Sequence, residues 1–226
     1  MKKISFVVLL FVFVCLCGLV TAEAVYEKPI LFRGIEWGTS YNEVVETYPN
    51  KNQNEWEPGG IDAIFYGGEA THYGKVGFRI RSGLPQGVTV AGYDVNDIYL
   101  NFVYTPDETG RLTKDKDHAV LCLAEYEFDF GSKKESYDAA LEDLTNKLTL
   151  LYGDSDNQPS SGYGTRAVWK GADGTLVSLN CRRGSYLNGG YYYRIYINYS
   201  FEGMETLLQD AKKALDMEFS FITDGL

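Results

Sequence analysis

The chain has 226 residues, with 31 Asp and Glu against 21 Lys and Arg and a formal charge of −10 with neutral histidines. A surface of that sign repels nucleic acid and anionic lipid, while 18 tyrosines and 12 phenylalanines in a 45% hydrophobic chain are enough to bury a core in one domain or two small ones. Four cysteines are too few for a disulfide-scaffolded protein of this length.

Lys2 and Lys3 precede an uncharged apolar run from Ile4 to Val20, followed by Thr21, Ala22, Glu23 and Ala24. That is the layout of a secretory signal peptide cut after Ala24 or Ala22. It assigns residues 1–24 to the leader and 25–226 to a single exported α+β domain. The alternative is an uncleaved N-terminal anchor, since the run approaches the ~20 residues that span a bilayer. Cys15 and Cys17 follow Val14 and Leu16 rather than small residues, which argues against lipid attachment, and both leave with the leader. No second apolar run of spanning length follows.

Val25 to Arg33 reads as an extended lead-in. Gly34-Ile35-Glu36-Trp37-Gly38-Thr39-Ser40 then opens a short helix in which Ser40 and Glu43 make a capping box, and Pro49 ends it. Residues 51–60 are a polar turn region. Val76, Phe78 and Ile80 alternate with Gly77 and Arg79, and Ile98, Leu100, Phe102 and Tyr104 with Tyr99, Asn101 and Val103, so both segments are strands with one apolar face. Thr105 to Asp117 is a solvated hairpin or loop. In the next strand Val120, Cys122, Ala124, Tyr126, Phe128 and Phe130 point one way and Glu125, Glu127 and Asp129 the other.

Ser132 or Ser136 starts the clearest helix, with Tyr137, Ala140, Leu141, Leu144, Leu148 and Leu151 at helical spacing before Gly153. Strands follow at 166–170, 176–182 and 191–201, joined by hairpin turns at Gly171 to Gly174 and at Asn188-Gly189-Gly190. A last amphipathic helix runs from about Gly203 to Phe219, with Met204, Leu207, Leu208, Ala211 and Leu215 on one side. The pattern predicts an antiparallel sheet with helices packed on one face and the other face open. The likeness of Ser40-Tyr41-Asn42-Glu43 to Ser136-Tyr137-Asp138-Ala139 leaves open two tandem halves, 34–130 and 131–226, each a helix followed by strands.

The lead-in Gly34 to Ser40, Glu43-Val44 in the helix and the order of the later strands resemble the small exported domains grouped with the outer-membrane assembly lipoprotein BamE and the beta-lactamase inhibitor protein. The resemblance covers that short motif and the element order only. It implies a helix-plus-sheet module without catalysis and with a protein-binding sheet surface. The chain departs from that pattern in lacking a lipid-attachment cysteine and in keeping only Cys122 and Cys181 after leader removal, so no binding residues carry over.

The chain's chemistry is sparse. His72 and His118 are its two histidines, which gives Ser-His-Asp or Cys-His catalysis little to draw on. Asp115, Asp117 and His118 read as a solvated turn rather than a cation loop, lacking the calcium-loop glycine and terminal glutamate. No metal site and no cofactor are expected. Cys122 and Cys181 fall on apolar strand faces, and a disulfide between them is weighed against two buried thiols. Glu125, Glu127 and Asp129 share one strand face at two-residue spacing, about 6.5–7 Å apart, which suits paired-carboxylate hydrolysis or an acidic solvent face alike. On the 191–201 strand, Tyr191, Tyr193, Ile195, Ile197, Tyr199 and Phe201 form the core face. Tyr192, Arg194, Tyr196 and Asn198 form the opposite one, a surface suited to stacking on a sugar or anchoring a protein. Asn198-Tyr199-Ser200 is also a glycosylation sequon.

The expectation is a secreted non-enzymatic binding module for an extracellular protein or glycan, with no nucleic acid partner and no membrane span once the leader is cut. The alternatives are a hydrolase on the acidic strand and a structural cell-surface protein.

Overall fold

The computed structural model describes residues 32–47, 76–81, 88–157, 164–171, 173–187 and 189–223, with side chains described as far as Asp216. The leader, His72 and the glycine pairs at 59–60 and 67–68 lie outside these residues. The described elements are α1 (Tyr41–Thr47), β1 (Gly77–Arg81), β2 (Thr89–Val90), β3 (Tyr93–Asp94), β4 (Asp97–Tyr104), β5 (Ala119–Asp129), α2 (Lys134–Tyr152), β6 (Asp156–Asn157), β7 (Gly164–Lys170), β8 (Thr175–Ser185), β9 (Tyr191–Phe201) and α3 (Met204–Thr223). A 3-10 turn at Lys116–His118 leads into β5.

The capping box forms as its spacing predicts. Ser40 Oγ lies 2.7 Å from Glu43 Oε2, which also accepts from the Ser40 amide at 3.2 Å. The lead-in is tied down before the helix starts. The Gly38 amide donates to the Leu121 carbonyl at 3.0 Å, and the Leu121 amide donates to Thr39 O at 2.9 Å. Gly38 has φ +86°, a conformation open to glycine at little cost. This lets Trp37 reach across the sheet, where Nε1 donates to Thr175 Oγ1 at 3.1 Å and the ring stacks on Phe201 at 5.8 Å.

The main sheet is antiparallel with strand order β1-β4-β5-β9-β8-β7-β6, and β2 and β3 form a separate small ribbon. Six of these strands read the same from either edge. A helix and three strands from the first half of the chain meet a helix and three strands from the second along the β5–β9 ladder, whose register sets Tyr126 beside Ile197.

On one face α1 supplies Tyr41 and Val44 and α2 supplies Tyr137, Ala140, Leu144, Leu148 and Tyr152. They bury Phe78, Leu100, Phe102, Tyr126, Phe128, Trp169, Leu179, Ile195 and Ile197. The helices are not confined to that face, which corrects the one-sided arrangement read from sequence. α3 lays Leu208, Ala211, Ala214 and Leu215 against Val76, Val103, Leu112, Cys122 and Leu123 on the opposite side.

A β-bulge explains how that second patch arises. Asn101 pairs with Leu123 and Phe102 with Leu121, leaving Cys122 as the extra residue of β5. Leu121 therefore faces α1 and α2, while Cys122 and Leu123 both turn toward α3. Strict alternation had placed Cys122 with Ala124.

Two smaller corrections concern α2. It starts at Lys134 without a side-chain cap, so neither Ser132 nor Ser136 caps it, because a turn at Phe130–Lys133 delivers the chain directly (Lys133 amide to Phe130 O, 3.0 Å). Near its end Tyr152 is buried and Leu151 is 53% exposed. No helix among the described residues is long and apolar enough to cross a membrane.

Candidate functional site

Beyond α3, the second sheet face turns from apolar to charged. The change occurs within one alternate step on each strand: Val103 gives way to Asn101 and Tyr99 on β4, and Leu123 to Glu125, Glu127 and Asp129 on β5. The register then places Glu125 beside Asn198, Glu127 beside Tyr196 and Asp129 beside Arg194. The acidic row and the tyrosine row, read from sequence as separate surfaces, are thus one continuous surface. β1 adds Arg79 and Arg81 on its outer side, and β8 adds Ser178, Asn180 and Arg182.

Its inner part is a dense polar network. Arg79 Nη2 donates to Glu125 Oε1 at 2.6 Å, and its guanidinium lies over the Tyr99 ring at 3.8 Å. The Asn101 amide donates to the same carboxylate oxygen at 3.0 Å. Glu125 is 4% exposed and Glu127 5%. Burial pushes the Glu125 carboxyl above its ordinary range, and the neighbouring Arg79 charge opposes that shift only in part. Arg79 Nε, Asn101 Oδ1 and Asn198 Oδ1 are buried there without a hydrogen-bond partner, so the network is held short of full satisfaction.

The outer part is more open. Arg194 Nε donates to Asp129 Oδ2 at 2.9 Å and lies 3.6 Å from Glu127 Oε1, while its guanidinium sits over the Tyr192 ring at 4.9 Å. The Tyr196 hydroxyl is pushed up to about 12 by burial and by the Glu127 charge, so it stays protonated. Tyr192 lies flat across Gly184 of β8: a Cβ at that glycine would come within 1.9 Å of the ring. Gly184 is therefore the space that Tyr192 occupies. Tyr192, Arg194, Tyr196 and Asn198 are all half-buried, with one side of the row open.

The remaining candidates resolve into structural roles. Asp115 Oδ1 accepts from the Asp117 amide at 3.2 Å to cap the 3-10 turn, and Asp117 Oδ1 accepts from Asn42 of α1 at 2.6 Å. His118 is exposed. Among the described residues no three His, Cys, Asp or Glu side chains converge as a metal site. Asn198, the sequon residue, sits inside the β5–β9–β8 ladder rather than on a loop.

The disulfide weighed between Cys122 and Cys181 is not formed, and both are free and buried. Cys122 faces α3 and Cys181 faces α2, on opposite sides of the sheet. β9 also separates their strands by two ladder spacings, about 9.6 Å against the ~7 Å limit for a bond. Burial raises both thiols. Neither should react with a thiol reagent until the protein unfolds: a titration with Ellman's reagent is expected to count no thiol in buffer and both in guanidinium.

The residues that sequence reading missed are Arg79, Arg81, Tyr99 and Asn101, which strand order alone brings beside the acidic row. Tyr191, expected in the core, is 48% exposed. The β8–β9 pair outruns its neighbouring strands at that end, and no helix among the described residues buries Tyr191. Comparison with protein-family models, with curated proteins and with solved structures finds no match to this chain.

Proposed function

We propose that the chain is an exported, non-enzymatic binding module that engages an extracellular protein or glycan through the Tyr192–Arg194–Tyr196–Asn198 row. The observation that carries this reading is the row's position: half-open aromatic and guanidinium groups on a part of the second face that, among the described residues, α3 does not cover. Planar rings and a guanidinium held by neighbouring strands lose little conformational freedom when they meet a partner, which favours them as binding anchors. The leader layout supports export, and the resemblance of the lead-in to that of BamE-type domains favours a binding role for the sheet.

Hydrolysis on the acidic strand is the weaker reading. Arg79, Asn101 and Arg194 already engage the carboxylates, and Glu125 and Glu127 are almost fully buried beneath those partners.

The test is capture from the protein's own extracellular fraction together with a glycan array, comparing the native chain with a Tyr192→Ala/Tyr196→Ala variant. The variant is expected to lose at least tenfold in affinity for the captured ligand while keeping its fold by circular dichroism. Undiminished binding would remove the row from the site, and hydrolysis of an array glycan would replace the reading with the enzymatic one.

A further inference from the structure

The end of the β8–β9 pair runs on past the core, beginning where the polar face ends at Arg182, Tyr192 and Arg194. β5 follows β9 only to Arg194 and closes with the Tyr193 amide and carbonyl, and β7 follows β8 only to Cys181. From Arg182 to Tyr192, then, the two strands have only each other as ladder partners among the described residues. They project as a two-stranded ribbon.

The side chains on this ribbon are arranged by depth. At its tip Leu187 is fully exposed (111%), in a turn closed by the Tyr186 amide donating to Gly190 O at 2.7 Å. One exposed leucine is ordinary, but here it is grouped with exposed tyrosines, and a grouped apolar patch marks an interaction surface. Tyr186 and Tyr191 come next, 47% and 48% exposed, with Tyr192 5.3 Å from Tyr186. Three rungs below the Ser185–Tyr191 rung, about 10 Å along the strands at ~3.4 Å per residue, Arg182 faces Arg194. Arg183 lies between these levels, its guanidinium 4.5 Å from the Tyr191 ring centre. Lys134 at the start of α2 stands within electrostatic reach of Arg183.

The charge of this segment opposes that of the chain. From Gly174 to Phe201 there is no Asp or Glu, while Arg182, Arg183 and Arg194 fall within it, in a protein of net charge −10. At the base Asp129 and Glu127 of β5 meet Arg194.

We propose that this ribbon is a membrane-docking device, which places Leu187 and the rings of Tyr186 and Tyr191 in the interfacial zone of an anionic bilayer with the arginines at its phosphates. An apolar tip, then an aromatic belt, then cations with long stems is the order in which a bilayer presents hydrocarbon, interface and headgroup. The apolar area is small, so docking is reversible and depends on the anionic headgroups and on low salt. It shares Tyr192 and Arg194 with the polar-face row, but Leu187, Arg182 and Arg183 lie outside that row, so variants at these three test the ribbon and leave the row's side chains in place. The net negative charge that repels anionic surfaces elsewhere on the molecule orients it ribbon first.

The experiment labels a Leu187→Cys variant with an environment-sensitive fluorophore such as NBD, using the buried native thiols as the unlabelled background. It is done on the chain from Val25 and on the full chain carrying Cys15→Ser and Cys17→Ser, so that neither the leader thiols nor the N-terminal apolar run decides the outcome. Vesicles of phosphatidylcholine containing about a third phosphatidylglycerol are expected to shift the emission to the blue and raise it severalfold. Pure phosphatidylcholine vesicles should leave it unchanged, and 0.5 M salt or Arg182→Ser/Arg183→Ser should reduce the response at least fivefold. In sedimentation, the unlabelled Val25 chain should bind anionic vesicles at least fivefold better than its Leu187→Asp variant. Three results would overturn the proposal: no emission change on anionic vesicles, equal sedimentation of the Leu187→Asp variant, or a label that responds only to an acidic protein, which would make the ribbon a protein-docking element instead.

Discussion

Replacing Arg79 by methionine is expected to cost about 3 kcal/mol of folding free energy near pH 7.5, and markedly less at pH 4.5, because it strips the cation from a buried carboxylate. Arg79 is the partner of Glu125 at 2.6 Å, and Asn101 is then left as the donor on that oxygen. The sign follows from the carboxyl. Burial already raises Glu125 in the folded state above its free value of 4.5. A group raised by folding contributes its stability below the unfolded value and loses it as pH climbs through the folded one. Without Arg79 the folded value rises further, so the penalty grows upward from about pH 4.5. Urea denaturation of the native and variant proteins at the two pH values measures it. Equal losses at both would show that Arg79 acts through its packing on Tyr99 and not through its charge, and adding Glu125→Gln to the variant should flatten the difference.

Leu144→Ala is expected to cost about 3 kcal/mol, the usual penalty for a cavity where a fully buried leucine stood, whereas Leu151→Ala should change stability by no more than about 0.5 kcal/mol. Both residues fall on the apolar stripe that helical periodicity gives. Leu144 lies beneath the sheet at 0% exposure, while Leu151 turns away from it beside the buried Tyr152 and is 53% exposed. A large loss at Leu151 would mean that another part of the chain covers the end of α2. Thermal denaturation of the two variants settles it.

That pair also marks what the sequence could and could not disclose. Periodicity of two and 3.6 located the long strands, α2 and α3, because each buries one face against a partner and so must repeat its apolar residues at the spacing of its backbone. The capping box was legible for the same local reason. The bulge at Cys122 was not. It shifts a strand by one residue without leaving a gap in the hydrophobic pattern, since Leu121, Cys122 and Leu123 are all apolar. The second helix layer was hidden likewise. α3 covers only one end of a face that is charged at the other, so the whole face averages to solvent-facing.

The site was half legible. The rows on β5 and β9 stood out because each alternates within one strand. Their adjacency, and the arrival of Arg79 and Tyr99 beside them, depends on strand order, which no local pattern encodes. The ribbon tip carried a signal that was available, a leucine among Asn and Gly and a run of 28 residues without an acid, but charge counted over the whole chain conceals it.

The seam between the two halves has a consequence for how the chain avoids its own copies. β5 is complete long before β9 has been synthesised, and until then its β9-facing edge is a bare set of amides and carbonyls. A second nascent chain offers an identical β5. Pairing those two strands antiparallel brings Glu125, Glu127 and Asp129 against their own kind on one face, in a sheet interior where like charges are costly to place together. Only β9 presents Asn198, Tyr196 and Arg194 at those three rungs. The acidic strand therefore waits for its own second half, and the ladder that joins the halves also discriminates between self-completion and entanglement with a neighbour.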